Sequence, residues 1–285
     1  MKKIDIAFIG GSGLYKIPNL KKITWKSTKP KFGTPSSDIC VGELNQKRVA
    51  FLPRHGLNHN ISPSFINYRA NIEALKILGV ESIISISAVG SLREDFKPGD
   101  FVLVDQFIDK THAREKSFFD NDLVIHVPMS SPVCIKLKEK SASTLKKLKI
   151  KFHSSGTYIC IEGPQFSTLA ESNLYRSWGC DVIGMTNMPE AKLAREAGIC
   201  YSTISMVTDF DCWHPKHDSV TIDQIVQTLN DNSTKAFNFI DEFCKSFDYS
   251  CEEKIKNIAK NSAITNFSKV KIKTKNKLQN IIKIP

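Results

Sequence analysis

Short apolar runs rich in β-branched residues recur along the chain. They break off in Gly, Ser or Asp, and helical patterns lie between them. The runs fall at residues 4–9, 49–52, 82–87, 101–104, 157–161, 182–185 and 201–207. Runs this apolar suit strands covered on both faces. Residues 65–78 carry apolar groups at helical spacing and stop at Gly79, and 189–197 stop at Gly198, a residue suited to a left-handed cap. The clearest helix opens at Thr221 with Gln224 three residues on, a capping box. Ile222, Ile225, Val226, Leu229, Ala236, Ile240 and Phe243 then keep one face apolar. Strands alternating with helices predict an α/β fold with a mixed or mostly parallel sheet. The pattern predicts one domain over residues 1–250. A basic tail over 251–285 follows, partly packed or disordered, and its alternating 269–273 stretch suits an exposed strand or a disordered run.

The formal charge is +11, which raises nucleic acid or a membrane surface as a partner. The distribution argues against both. No acid follows Glu253, while Lys254, Lys256, Lys260, Lys269, Lys271, Lys273, Lys275, Lys277 and Lys283 do. The excess therefore sits in the tail and reads as a solvated segment. No aromatic residues interleave with the bases as a single-strand binder requires. No apolar run approaches the ~20 residues of a membrane span. Eight cysteines without a Cys-x-x-Cys pair suggest neither a zinc site nor a disulfide framework, and point to a reducing cytoplasm. No metal is expected.

The strand ends carry the chemistry. Gly10-Gly11-Ser12-Gly13 ends the first strand, either as a tight turn or as a set of N–H groups and a hydroxyl for an anion. It fails the dinucleotide fingerprint, because Lys16 stands where a third Gly is needed. Arg54-His55-Gly56 follows another strand, and a guanidinium can grip phosphate through two parallel hydrogen bonds. Ser87-Ala88-Val89-Gly90 is small enough to let a ligand approach the backbone. Glu162-Gly163-Pro164-Gln165-Phe166-Ser167 offers a carboxylate for hydroxyls and a ring for stacking. Met185-Thr186 ends a strand before a helix, where Thr186 suits an anion. Thr208-Asp209-Phe210-Asp211 places two carboxylates after an apolar strand. In extended geometry both point the same way, and burial would make one a general acid. Each motif alone also fits an ordinary turn, cap or core position.

Taken in order, Gly-Gly-Ser-Gly, Arg-His-Gly, Ala-x-Gly-Ser-Leu, Glu-Gly-Pro-x-Phe and Met-Thr-x-x-Pro-Glu resemble the trimeric purine nucleoside phosphorylases. Thr208-Asp209-Phe210-Asp211-Cys212-Trp213 resembles the branch of that family acting on 5′-methylthioadenosine, as do the stretches 32–36, 104–109 and 197–201. The likeness runs over about residues 4–245. It implies a nucleoside phosphorylase-type mixed sheet and distorted barrel flanked by helices. It implies phosphate held by Ser12, Arg54, His55, Ser87, Ala88 and Thr186. Met185 would face the ribose and Phe166 the nucleoside. Asp209 and Asp211 would recognise adenine and supply the acid, and Ser167 and Ile222 would set specificity. His126 would reach a neighbouring copy's pocket, in a homotrimer or a dimer of trimers. The implied reaction is phosphate-dependent release of adenine from methylthioadenosine, with inorganic phosphate as co-substrate and no cofactor. The chain departs from the family's usual residues at Val89, Gln165 and Asn187-Met188, positions assigned to the base pocket and its rim.

Two other enzyme readings remain at this level. A phosphorylase of inosine or guanosine would meet a 6-oxo acceptor on the base, which suits paired carboxylates poorly. A hydrolytic nucleosidase would leave Arg54, His55 and Thr186 without a purpose.

Overall fold

The computed structural model describes residues 3–11, 14, 17–120, 122–215 and 222–285, with side chains from 227 onward in the last stretch. Its strands are β1 (Ile6–Gly10), β2 (Lys21–Lys26), β3 (Ile39–Leu44), β4 (Lys47–Pro53), β5 (Ser82–Ser91), β6 (Phe101–Val104), β7 (Gln106–Asp109), β8 (Phe152–His153), β9 (Thr157–Cys160), β10 (Val182–Gly184) and β11 (Cys200–Asp209). The main helices are α1 (Tyr68–Ile77), α2 (Ile135–Lys147), α3 (Leu169–Ser177), α4 (Asn187–Glu196) and α5 (Ile222–Lys245). Every strand expected from an apolar run is present, within a few residues at each end.

The eleven strands of the described residues join one mixed sheet in the order β2-β3-β4-β1-β5-β10-β9-β7, with a branch that leaves β5 through β11 and continues to β6 and β8. The branch is what distorts the sheet. Strand β5 pairs in parallel with β1 through Ile83–Ile86 and with β11 along most of its length. At its far end, Gly90 and Ser91 pair antiparallel with β10. The ends of β1, β4, β5 and β11 therefore collect on one side, and β10 runs back toward them. Strands β2 and β3 read weakly in the sequence because they form an antiparallel edge, and β2 is largely exposed.

Helices cover both faces. Ile72, Leu75, Ala191 and Leu193 of α1 and α4 pack into one apolar cluster, and Leu137, Leu145, Phe239 and Phe243 of α2 and α5 into another. Side-chain caps fix the starts of α1 and α3. Asn67 accepts from the Ala70 N–H at the head of α1, and Thr168 forms a reciprocal capping box with Glu171 on α3. Thr221 lies outside the described residues. The tail folds into α6 (Glu253–Lys256), α7 (Ile258–Asn261) and α8 (Ile272–Leu278). Val270, Leu278, Ile281 and Ile282 bury into the core, and the exposed lysines face out. The 269–273 stretch is thus a helix entry and neither a strand nor a coil, because Val270 has a core site to fill.

Candidate active site

A cavity of about 510 Å³ opens where the strand ends meet, within the range that holds a small ligand. It is lined by Gly11, Arg54, His55, Ser87, Ala88, Phe166, Ser167, Met185, Thr186, Asp209 and Asp211, among others. The structure thus brings together every proposed site residue except three. Ser12 and the side chain of Ile222 lie outside the described residues, and His126 is exposed and away from this cavity.

Arg54 is fully buried at one end of the cavity, and the Nε and Nη2 side of its fork is taken up by protein partners. Nε donates to Glu190 Oε2 at 2.7 Å and Nη2 to Glu190 Oε1 at 3.1 Å. Nη2 also donates to Ser85 Oγ at 2.6 Å. The expected two-bond grip on phosphate is therefore corrected: the pair of parallel bonds belongs to Glu190, and Nη1 is the corner left to face a ligand. Its other contact is a long one, 3.4 Å to the Ile86 carbonyl. Gly11 permits this approach, since a side chain there would begin 3.1 Å from Nη1. Burial opposes the charge on Arg54, but Glu190's charge and hydrogen bonds outweigh it and hold the guanidinium protonated. Tyr201 donates to the same Glu190 carboxylate, and Asn187 donates to Ser85 and Tyr201. Asn187 and Met188 are buried in this network and the core, so they do not touch a base pocket as the resemblance implied.

His55 Nδ1 lies 2.8 Å from the Ile61 carbonyl, which can only accept, so Nδ1 carries the hydrogen. Burial first, then the Arg54 charge, lowers its pKa to about 4. The ring is neutral at physiological pH and presents Nε2 as an acceptor, suited to a hydroxyl on phosphate or ribose. Ser87 Oγ is buried with no hydrogen-bond partner among the described residues. Thr186 heads α4 without using its hydroxyl as a cap, and the backbone leaves helical geometry at Met188 before the regular turns begin. With Arg54 balanced by Glu190 and His55 neutral, this end offers directed donors more than net charge.

The two carboxylates occupy the opposite end. Asp211 takes a left-handed backbone, φ 52°, so the pair is not extended as the spacing suggested. The chain turns, and the Asp211 N–H donates to Asp209 Oδ1 at 2.8 Å, an Asx-type turn. Both side chains still line the cavity. Burial raises the pKa of each, and the charge of Asp209 adds to the effect on Asp211. Phe166 stands at the mouth, 69% exposed, beside Ser167, whose buried hydroxyl has no partner among the described residues.

Glu162 does not serve a ligand. It accepts from the His112 and Ala113 N–H groups and from Arg114 Nε. Against the cost of burial, these bonds hold its pKa down to about 2. Arg114 in turn donates to the Met185, Met188 and Glu162 carbonyls, tying down the turn that carries Met185 and Thr186. Neither Arg114 nor Glu190 was legible as a site residue. Their partners lie far away in sequence, and a lone Arg or Glu carries no motif.

Among the described residues no cluster of His, Cys, Asp or Glu is arranged to hold a metal, and no helix is long and apolar enough to cross a membrane.

The comparisons agree with this geometry. The S-methyl-5′-thioadenosine phosphorylase of Rhodospirillum rubrum is 57% identical over 235 residues, covering 82% of this chain and 80% of that protein. The protein of the same name from Koribacter versatilis is 48% identical and covers 98% of this chain and 95% of its own. A crystal structure of methylthioadenosine phosphorylase from an antarctic soil metagenomic library superposes with a TM-score of 0.92 at 44% identity, covering 99% of this chain and 100% of that one. The Schistosoma mansoni methylthioadenosine phosphorylase in complex with adenine gives 0.83 at 33% identity, covering 92% and 99%. The family model described as the phosphorylase superfamily matches residues 5–245, and the chain belongs to that superfamily.

Proposed function

We propose that this enzyme cleaves S-methyl-5′-thioadenosine with phosphate, giving adenine and 5-methylthioribose 1-phosphate. The observation that carries the reading is the two-ended cavity. A buried carboxyl at Asp209 lines the same cavity as Arg54, His55, Ser87 and Thr186, which supports reading these four as the anion corner. The bond from ribose C1′ to the base N9 breaks, and its electron pair passes to the purine. Asp209 donates a proton to N7, while Asp211 accepts from the adenine 6-amino group. The sugar becomes cationic, and a phosphate oxygen held by the opposite end bonds to C1′. Orientation and fixed dipoles do most of this work. Paired carboxylates favour the 6-amino donor of adenine over a 6-oxo acceptor.

Met185 packs on Gly163, whose left-handed φ of 68° and missing side chain admit the sulfur, and it lines the cavity, which supports a role against the ribose. His126 is exposed, and its backbone N–H is held by the Ser262 carbonyl. That supports a role in a neighbouring copy's pocket and a trimeric assembly. All eight cysteines are free thiols, which supports a cytoplasmic setting. The products fit a salvage role for the purine and for the methylthio sugar. Purified protein incubated with methylthioadenosine, with and without phosphate, tests the proposal: adenine release must require phosphate. Equal release in its absence would make the enzyme a hydrolase.

A further inference from the structure

Strand β11 slips its register against β5 between Val207 and Asp209, and Thr208 is the extra residue. In a regular strand neighbouring side chains point to opposite faces. The bulge re-aims this pair so that Thr208 Oγ1 lies 2.7 Å from Asp209 Oδ2 and 3.1 Å from the Val89 carbonyl oxygen. A hydroxyl has one proton, and both of these partners are acceptors when Asp209 is ionised. Thr208 can satisfy only one of them at a time. With Asp209 protonated, its own O–H serves the ligand side and Thr208 donates to Val89. Once that proton has gone to the base nitrogen, Oδ2 carries charge and becomes the stronger acceptor. Asp209 Oδ1 keeps the Asp211 N–H in both states.

We propose that Thr208 is a positioning residue for the acid step, a hydroxyl that turns from the Val89 carbonyl to Asp209 as the carboxyl gives up its proton. The inference rests on the reading of Asp209 as general acid. In the step one O–H bond on Asp209 breaks and one N–H bond on the purine forms. Water returns a proton to the carboxylate before the next turnover, and the hydroxyl turns back. Among the described residues, the other titratable groups acting on this corner are Asp211 and Cys212 in the same loop and Glu171 and Tyr175 of α3. Arg54 and His55 line the far end of the cavity. Among the described residues, strand β5 brings Val89 and Gly90 here, and α5 brings the neutral Leu229 and Asn232.

The test compares Thr208→Val, which keeps the shape and removes the hydroxyl, with Thr208→Ser, which keeps the hydroxyl. Turnover of methylthioadenosine is read against pH. Without the donor the carboxylate is less stable, so the acid form persists and the alkaline limb moves to higher pH by roughly one unit. Plateau turnover falls roughly tenfold, because the acid has become weaker. Thr208→Ser restores the limb and most of the rate. A valine variant with the wild-type limb and rate within about twofold overturns the proposal. So does equal loss in both variants with the limb unmoved, which would mark a packing role. Should the valine variant not fold, Thr208→Ala answers the same question. The wild type's own phosphate-dependent release of adenine is measured alongside, so a failure of the underlying reading appears there and not in the variants.

Discussion

The Arg54 guanidinium and the Glu190 carboxylate meet fork to fork with side-chain exposures of 0% and 3%, Nε to Oε2 at 2.7 Å. A buried pair of this kind contributes little over an apolar substitute, but losing one partner strands a charge in the core. Glu190→Gln should lower stability by about 3 kcal/mol in chemical denaturation. Added phosphate should recover more of the loss than it adds to the wild type, because the dianion resupplies the missing counter-charge at the Nη1 corner. Equal phosphate effects in both proteins would mean that Arg54 does not address the ligand.

The neutral state of His55 has a pH signature. Its folded pKa, about 4, lies below the unfolded value near 6.5. The unfolded chain therefore takes a proton that the folded chain refuses as pH drops between those limits, and stability falls over that window. His55→Gln should flatten this part of the profile by up to one proton, read from denaturation midpoints between pH 6.5 and 4. An unchanged slope would contradict the assigned ring state.

Asp209→Asn should reduce turnover on the order of a hundredfold or more, the scale of general acid help. Burial penalises the Asp209 charge, so an amide of the same shape should leave thermal stability at pH 8 unchanged or slightly raised. Near-normal turnover would remove Asp209 from the acid role, whatever the stability result.

Arg114→Lys should weaken nucleoside and phosphate together. The planar fork reaches three carbonyls around the Met185 turn, whereas an ammonium on a flexible stem cannot hold that geometry. Steady-state KM values for both substrates should rise several-fold in the same variant. A rise for one alone would show that the turn is held by other contacts.

Much of the site was legible because an α/β sheet delivers ligand-binding residues at strand ends. The Gly-rich turn, Arg54, Ser87, Thr186 and Asp209 all sit where an apolar run stops. What stayed hidden depends on long-range pairing. Glu162 reads as a free carboxylate until Arg114, 48 residues away, claims it. The Arg54 fork reads as a phosphate clamp until Glu190 fills it from 136 residues away. The turn at Asp211 breaks the two-residue period that would have aligned the acids, and nothing in Asp-Phe-Asp announces a left-handed residue. The edge strand β2 is hidden in the sequence because it is exposed and lacks an apolar run, and its buried neighbour β3 because Gly42 and Glu43 interrupt a short one.

The central claim is that phosphate is the nucleophile at C1′. Incubating the enzyme with methylthioadenosine and oxygen-labelled phosphate tests it most directly, with mass spectrometry of the sugar product. Label should appear in the oxygen bridging C1′ and phosphorus of 5-methylthioribose 1-phosphate, in step with adenine. Free methylthioribose carrying oxygen from the solvent would contradict it.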